Sequence, residues 1–201
     1  MNSILNILMV CGALQGMLFG IVVLTAKRFH VHSNKYLAKM VIFISLNNLN
    51  YWLIETKIVK GLAIYEFLYI PWSLLILPMI YLFLRSYLKV ETEKRYIYAI
   101  KIPFYFFLVI YILLLLLFVL WREWLVENEQ FKLCLYDFEE YFSIVYSCLL
   151  IFMSLKTIRN YQTKNKIQLK KNESVPIRWL KKLLWAGSVI CCLWFLVIAI
   201  S

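Results

Sequence analysis

From Ile102 to Trp121 the chain carries no charged residue, and an unbroken row of leucines, Leu113 to Leu117, sits inside that stretch. A run of about 20 apolar residues is the length of a helix across a hydrocarbon core of about 30 Å. In hydrocarbon only helices and closed barrels satisfy their own backbone groups, and a barrel would alternate apolar with polar residues over segments of about ten. Solid apolar runs therefore point to helices. The rest of the sequence is of the same kind: it is 63% hydrophobic and 16% charged over 201 residues, too little polar surface to cover a water-soluble globule.

Hydropathy predicts spans at about 4–26, 36–54, 64–86, 102–121, 139–158 and 181–200. The fold class expected is all-α, a polytopic transmembrane helix bundle with about six spanning helices, in a single domain covering 1–201. The second span is the weakest, with Lys39 near its start and Asn47, Asn48 and Asn50 toward its end. The third contains Pro71 and Pro78, so a kink is expected there. Pro103 falls in the first turn of the fourth, where a missing amide proton is harmless.

Charge orients the bundle. With the amino terminus outside, the connections after spans one, three and five hold 18 of the 22 basic residues. The opposite side keeps Lys57, Lys60, Arg122 and Lys132, together with eight of the eleven acids, Glu139 and Glu140 among them. Lys and Arg concentrate in cytoplasmic loops, so the amino terminus is predicted outside. The positive charge comes after span one, at Lys27 and Arg28, where a cleaved secretory signal would have it in front. Topology also accounts for most of the net charge of +11. Arg85, Arg159, Lys170, Lys171, Arg178, Lys181 and Lys182 are expected to form a basic anchor against anionic lipids at the cytoplasmic face, with no direct binding of nucleic acid by this chain.

Two features stand out as candidates for function. Gly12, Gly16 and Gly20 recur at four-residue spacing in span one with Gln15 beside them, which lets another helix approach closely, either within the bundle or across a homodimer seam. Asn47, Asn48 and Asn50 are costly in hydrocarbon and cannot all share one helix face, so they are candidates for polar sensing or an interface, with solvation at the outer membrane surface as the plain alternative. The mixed segment from Trp121 to Glu140 is expected to lie on the outer membrane surface as a hairpin or short helix, with an outward sensing element as the functional alternative. Catalytic chemistry lacks support. His30 and His32 have no neighbouring Cys or acid to complete a metal set, four of the five cysteines fall in spans, and no charged residue interrupts the middle of a predicted span. No enzyme activity, metal or cofactor is expected.

The segments Leu14-Gln15-Gly16-Met17-Leu18-Phe19-Gly20, Leu77-Pro78-Met79-Ile80-Tyr81-Leu82-Phe83-Leu84-Arg85-Ser86-Tyr87, Ile102-Pro103-Phe104, Ser154-Leu155-Lys156-Thr157-Ile158-Arg159 and Arg178-Trp179-Leu180-Lys181-Lys182 carry a resemblance. Together they resemble the amino-terminal membrane domain of AraC-type membrane-bound transcriptional regulators of Bacteroidota. In that family about seven helices precede a cytoplasmic helix-turn-helix domain. Lys101 stands where the family usually has a His before the Pro-Phe of span four, and the sequence ends after span six, without the last helix or the helix-turn-helix domain. The resemblance implies a multi-pass protein of the bacterial inner membrane that acts as a sensor or signalling module, either as a fragment or as a reduced relative. The alternative expectation is a small accessory subunit that packs against a larger membrane-protein partner. A transporter or membrane enzyme would need facing polar residues deep in the bundle, and none is evident from hydropathy.

Overall fold

The computed structural model describes residues 3–26, 32–55, 70–121, 129–164 and 175–200. These form seven helices and no strand: α1 (Ser3–Thr25), α2 (His32–Glu55), α3 (Ser73–Tyr87), α4 (Lys94–Ala99), α5 (Ile102–Leu120), α6 (Glu129–Lys164) and α7 (Val175–Ile200). The chain is all-α. Three stretches, Asn6–Thr25, Ile102–Leu120 and Leu133–Lys164, are long and apolar enough to cross a membrane. On α1 and α5 most outward residues are apolar, as with Leu18 and Phe19 on α1 and Phe106, Val109 and Leu113 on α5. In a water-soluble bundle those faces would be polar.

The core is built around α3, the shortest of the main helices, which packs against α2, α5 and α6. Eight of its residues are buried, and Leu84 has no exposed surface at all. One apolar cluster joins Leu74, Leu75, Met79 and Leu82 of α3 to Phe104, Phe107 and Tyr111 of α5 and Leu150 of α6. A second, at the other end of α3, joins Phe83 and Leu84 to Ile158 of α6 and to Leu180 and Leu184 of α7. Helices α3 and α6 therefore run in the same direction. Helix α2 runs against α3, since Phe43 stacks on Trp72 at 5.7 Å while Tyr36 packs on the Phe83 cluster.

Helix boundaries differ from the expectation, most of all in two helices, while α2 and α7 begin earlier, at His32 and Val175. Hydropathy predicts the third helix over 64–86, but α3 begins only at Ser73, and residues 64–69 lie outside the described residues. Pro71 has no amide proton and biases Ile70 away from helical backbone, so a turn at Ile70 to Trp72 precedes the helix. At 15 residues α3 is only about 22 Å long. The fifth predicted helix errs the other way, starting at Glu129 instead of near 139 and extending to Lys164. No Gly or Pro interrupts its 36 residues, so residues 129–140 continue the helix where the sequence suggests a separate surface element. Residues 122–128 of that segment lie outside the described residues.

The glycine stripe divides. A side chain at Gly16 would collide with Ser45 Oγ, and one at Gly20 would come within 2.5 Å of Ile42 Cγ1 and 3.1 Å of the Ala38 carbonyl. Gly16 and Gly20 therefore seat α1 against α2, with Ala13, Ala38 and Ser45 as the other small buried residues of the contact. Among the described residues nothing approaches within 4 Å of the position a side chain would take at Gly12. Replacing Gly20 with Leu is expected to cost about 1–3 kcal/mol through forced separation of the two helices. Gly12→Leu is expected to leave the stability of the single chain unchanged. Thermal unfolding of both variants in mild detergent checks this, and equal melting temperatures would rule out the assignment.

Helix α3 ends in a Schellman arrangement. The Val90 amide donates to the Arg85 carbonyl at 2.9 Å and the Lys89 amide to the Ser86 carbonyl at 3.1 Å, while Val90 packs onto the cluster around Leu84. The arrangement needs a left-handed residue, and Lys89 supplies it with φ of 53°. A side chain in that region costs about 1 kcal/mol that glycine does not incur. Lys89→Gly should raise stability by about that amount, and a lowered melting temperature would contradict this account.

Candidate functional site

Helix α6 turns one narrow face to the interior: Glu139, Ser143, Ser147, Leu150, Ser154 and Ile158 are all buried, at spacings of four or three. Three serines along that face let α3 approach closely, as small residues do in membrane bundles. Glu139 is the exception in size and charge. It is 3% exposed. Its carboxyl accepts a hydrogen bond from Tyr111 Oη of α5 at 2.6 Å and a longer one from Ser73 Oγ of α3 at 3.5 Å. The Tyr111 ring stacks on Tyr136 at 5.6 Å, which holds its hydroxyl over the carboxyl. One acid thus joins three helices. One turn further along α6, Ser143 Oγ is buried with no hydrogen-bond partner among the described residues.

A second polar contact lies at the opposite end of α3. Arg85 donates through Nη1 to Tyr81 Oη at 3.3 Å and through Nη2 to the Glu91 carbonyl at 2.6 Å, and its guanidinium lies 5.0 Å from the Tyr96 ring centre. Tyr81 and Tyr96 share a hydrogen bond of 3.1 Å. The link ties the end of α3 to α4, and Tyr146 Oη of α6 donates to the Ile100 carbonyl just beyond. Lys101, half-buried and beside Lys39, is held below the usual lysine range, first by burial and then by the neighbouring ammonium.

The other residues singled out by the sequence are spread over several faces of the bundle. Gly12 and Gln15 are exposed on α1, while Gly16 and Gly20 are covered by α2. Asn47, Asn48 and Asn50 are half-buried on α2, and Asn47 Oδ1 and Asn50 Nδ2 have no hydrogen-bond partner among the described residues. None of the three asparagines bonds to the Glu139 contact. Arg159, Lys181 and Lys182 are exposed near the end of α6 and the start of α7. Lys170 and Lys171 lie outside the described residues, as does the side chain of Arg178. Arg85, grouped by sequence with the lipid anchors, is engaged within the protein instead. Among the described residues no group of His, Cys, Asp or Glu is arranged to hold a metal ion.

Sequence reasoning missed Glu139, Tyr111 and Ser73. Hydropathy leaves Glu139 at the edge of a span, among other acids. The available signal was the four-residue spacing of Glu139, Ser143 and Ser147, which puts an acid on the small-residue face of a helix.

Burial, and after it the hydrogen bond to Tyr81, push the Tyr96 phenol up to about 12 from its ordinary 10.0. The folded chain then holds this proton more tightly than the unfolded chain, so the contribution to stability is complete below pH 10 and is lost as pH rises toward 12. In Tyr96→Phe the alkaline loss of stability should be shallower over that interval. Identical alkaline unfolding profiles for the variant and the parent would contradict the coupling.

In comparison with known proteins, the chain matches no family model, no curated protein and no solved structure.

Proposed function

We propose that the chain is a membrane-embedded sensor or signalling module in which α3 carries a change of packing from its Ser73 end to its Arg85 end. The observation that supports this is the Glu139 carboxyl, bonded to hydroxyls of α5 and α3. A carboxyl inside a transmembrane bundle is costly and is retained where it acts. Helix α3 suits the transmitting role because it touches α2, α5 and α6 and ends in a polar link at Arg85. The residues of the α3 and α5 segments are also among those that resemble the membrane domain of the AraC-type regulators.

In this reading six helices cross the cytoplasmic membrane of a bacterium, with the amino terminus and the start of α6 outside and the exposed Arg159, Lys181 and Lys182 on anionic lipid inside. The opposed directions of α2 and α3, and the parallel course of α3 and α6, fit alternating crossings. An accessory role has one observation in its favour. Helix α1 packs chiefly on α2 and leaves Gly12 and Gln15 facing outward, a surface on which a second copy or a larger membrane protein could seat. A transport role gains a polar contact in Glu139, but that residue is only 3% exposed.

Spin labels at Tyr87 of α3 and Lys181 of α7 report the Arg85 end. Ser73→Ala and Tyr111→Phe, which alter only the far end, are each expected to shift the distance between the labels and to cost about 1 kcal/mol of stability. An unmoved distance in both folded variants would end the signalling reading. For orientation, a membrane-impermeant thiol reagent should label the exposed Cys134 on spheroplasts and should not label a cysteine placed at Arg159.

A further inference from the structure

We propose that Glu139 is a proton-binding site, and that gain or loss of its proton resets the contact of α6 with α3 and α5. The second half rests on the signalling role of α3; the first does not. Among the described residues the groups that face the carboxyl are few. Helix α3 contributes Ser73 and no charge, and α5 contributes Tyr111. On α6 the neighbouring charges are Glu140, which is of the same sign, and the exposed Asp137. No ammonium or guanidinium of the described residues bonds to it. A buried carboxylate with a cationic partner is locked in its ionised form, whereas one held only by hydroxyls can exist in either form.

The hydroxyls are suited to both. As a carboxylate, Glu139 accepts from Tyr111 Oη and Ser73 Oγ, and Ser143 Oγ remains without a partner. As a carboxylic acid, it keeps the Tyr111 donor on one oxygen and must donate from the other. A hydroxyl both donates and accepts, so Ser73 can reverse its role, and Ser143, 1% exposed, holds an unpartnered hydroxyl on the same face one turn on. Uptake of a proton therefore exchanges a donor for an acceptor at the α3 contact without opening the bundle. The Tyr111 contact of 2.6 Å is closed at hydrogen-bond length, which suits a proton and leaves no gap for a metal cation.

Infrared difference spectroscopy of the full chain in lipid, with the pH of the medium stepped, tests the site directly. The carbonyl stretch of a protonated, buried carboxylic acid is expected to disappear as pH rises, to shift in deuterium oxide, and to be absent from Glu139→Gln. Tyr111→Phe should keep the band but displace both its frequency and its titration midpoint. A missing band, a band that survives in Glu139→Gln, or one removed at constant pH by sodium ions would overturn the proposal, the last in favour of a cation site. The spin labels at Tyr87 and Lys181 separate the two claims. If the band titrates while the label distance ignores pH, the proton site stands and the resetting of the helix contact is refuted. If the distance responds to Ser73→Ala but no band titrates, the signalling role stands and the proton site fails.

Discussion

A buried, mainly apolar surrounding offers no partner to a polar side chain, so Glu139 can sit where it does only because two other helices bring hydroxyls to it. Those hydroxyls arrive together only if α3, α5 and α6 pack at one level, and that requirement shapes much of the bundle. The serine face of α6 allows the close approach of α3. The aromatic residues of α5, above all Phe107 and Tyr111, fill the space on the far side. Apolar surface alone would not select this arrangement, since lipid tails satisfy a leucine as well as another leucine does. Shape and a shared hydrogen bond supply the selectivity that water supplies in a soluble core.

At the other end of α3 the same helix is secured differently. Arg85 is not left to the lipid headgroups; its guanidinium is divided between a tyrosine hydroxyl, a backbone carbonyl and an aromatic face. The Schellman turn through Lys89 then directs the chain away, and α4 returns Tyr96 to the cluster. Helix α3 is thus a short helix fastened at both ends by polar contacts, with an apolar surface between them.

Hydropathy makes α1, α5 and the body of α6 legible, because their apolar runs have no competing interpretation. The start of α3 is less so: Ile64 to Ile70 is largely apolar, like the helix after it, and only Pro71 hints that the helix begins beyond it. The mixed stretch before Tyr141 misleads for a related reason. Its acids suggest a surface element, yet without Gly or Pro the helix continues through them and carries Glu139 about three turns inward from its start. The glycine stripe is legible as a close contact, but a spacing of four cannot say that Gly16 and Gly20 meet α2 while Gly12 does not. That depends on where two helices diverge, which is a property of the pair.

In the proposed six-span reading, the unequal lengths of α3 and α6 bear on how the protein responds to its bilayer. A hydrocarbon core of about 30 Å exceeds the 15 residues of α3 and is shorter than the 32-residue stretch Leu133–Lys164 of α6. Because α3 is enclosed by its neighbours, lipid does not register its shortness, whereas α6 and α5 present broad apolar faces outward. In that reading, thinning or thickening of the membrane acts on the tilt of the outer helices and leaves the inner one in place. Acyl chain length then becomes a variable that changes the angle at which α6 meets α3.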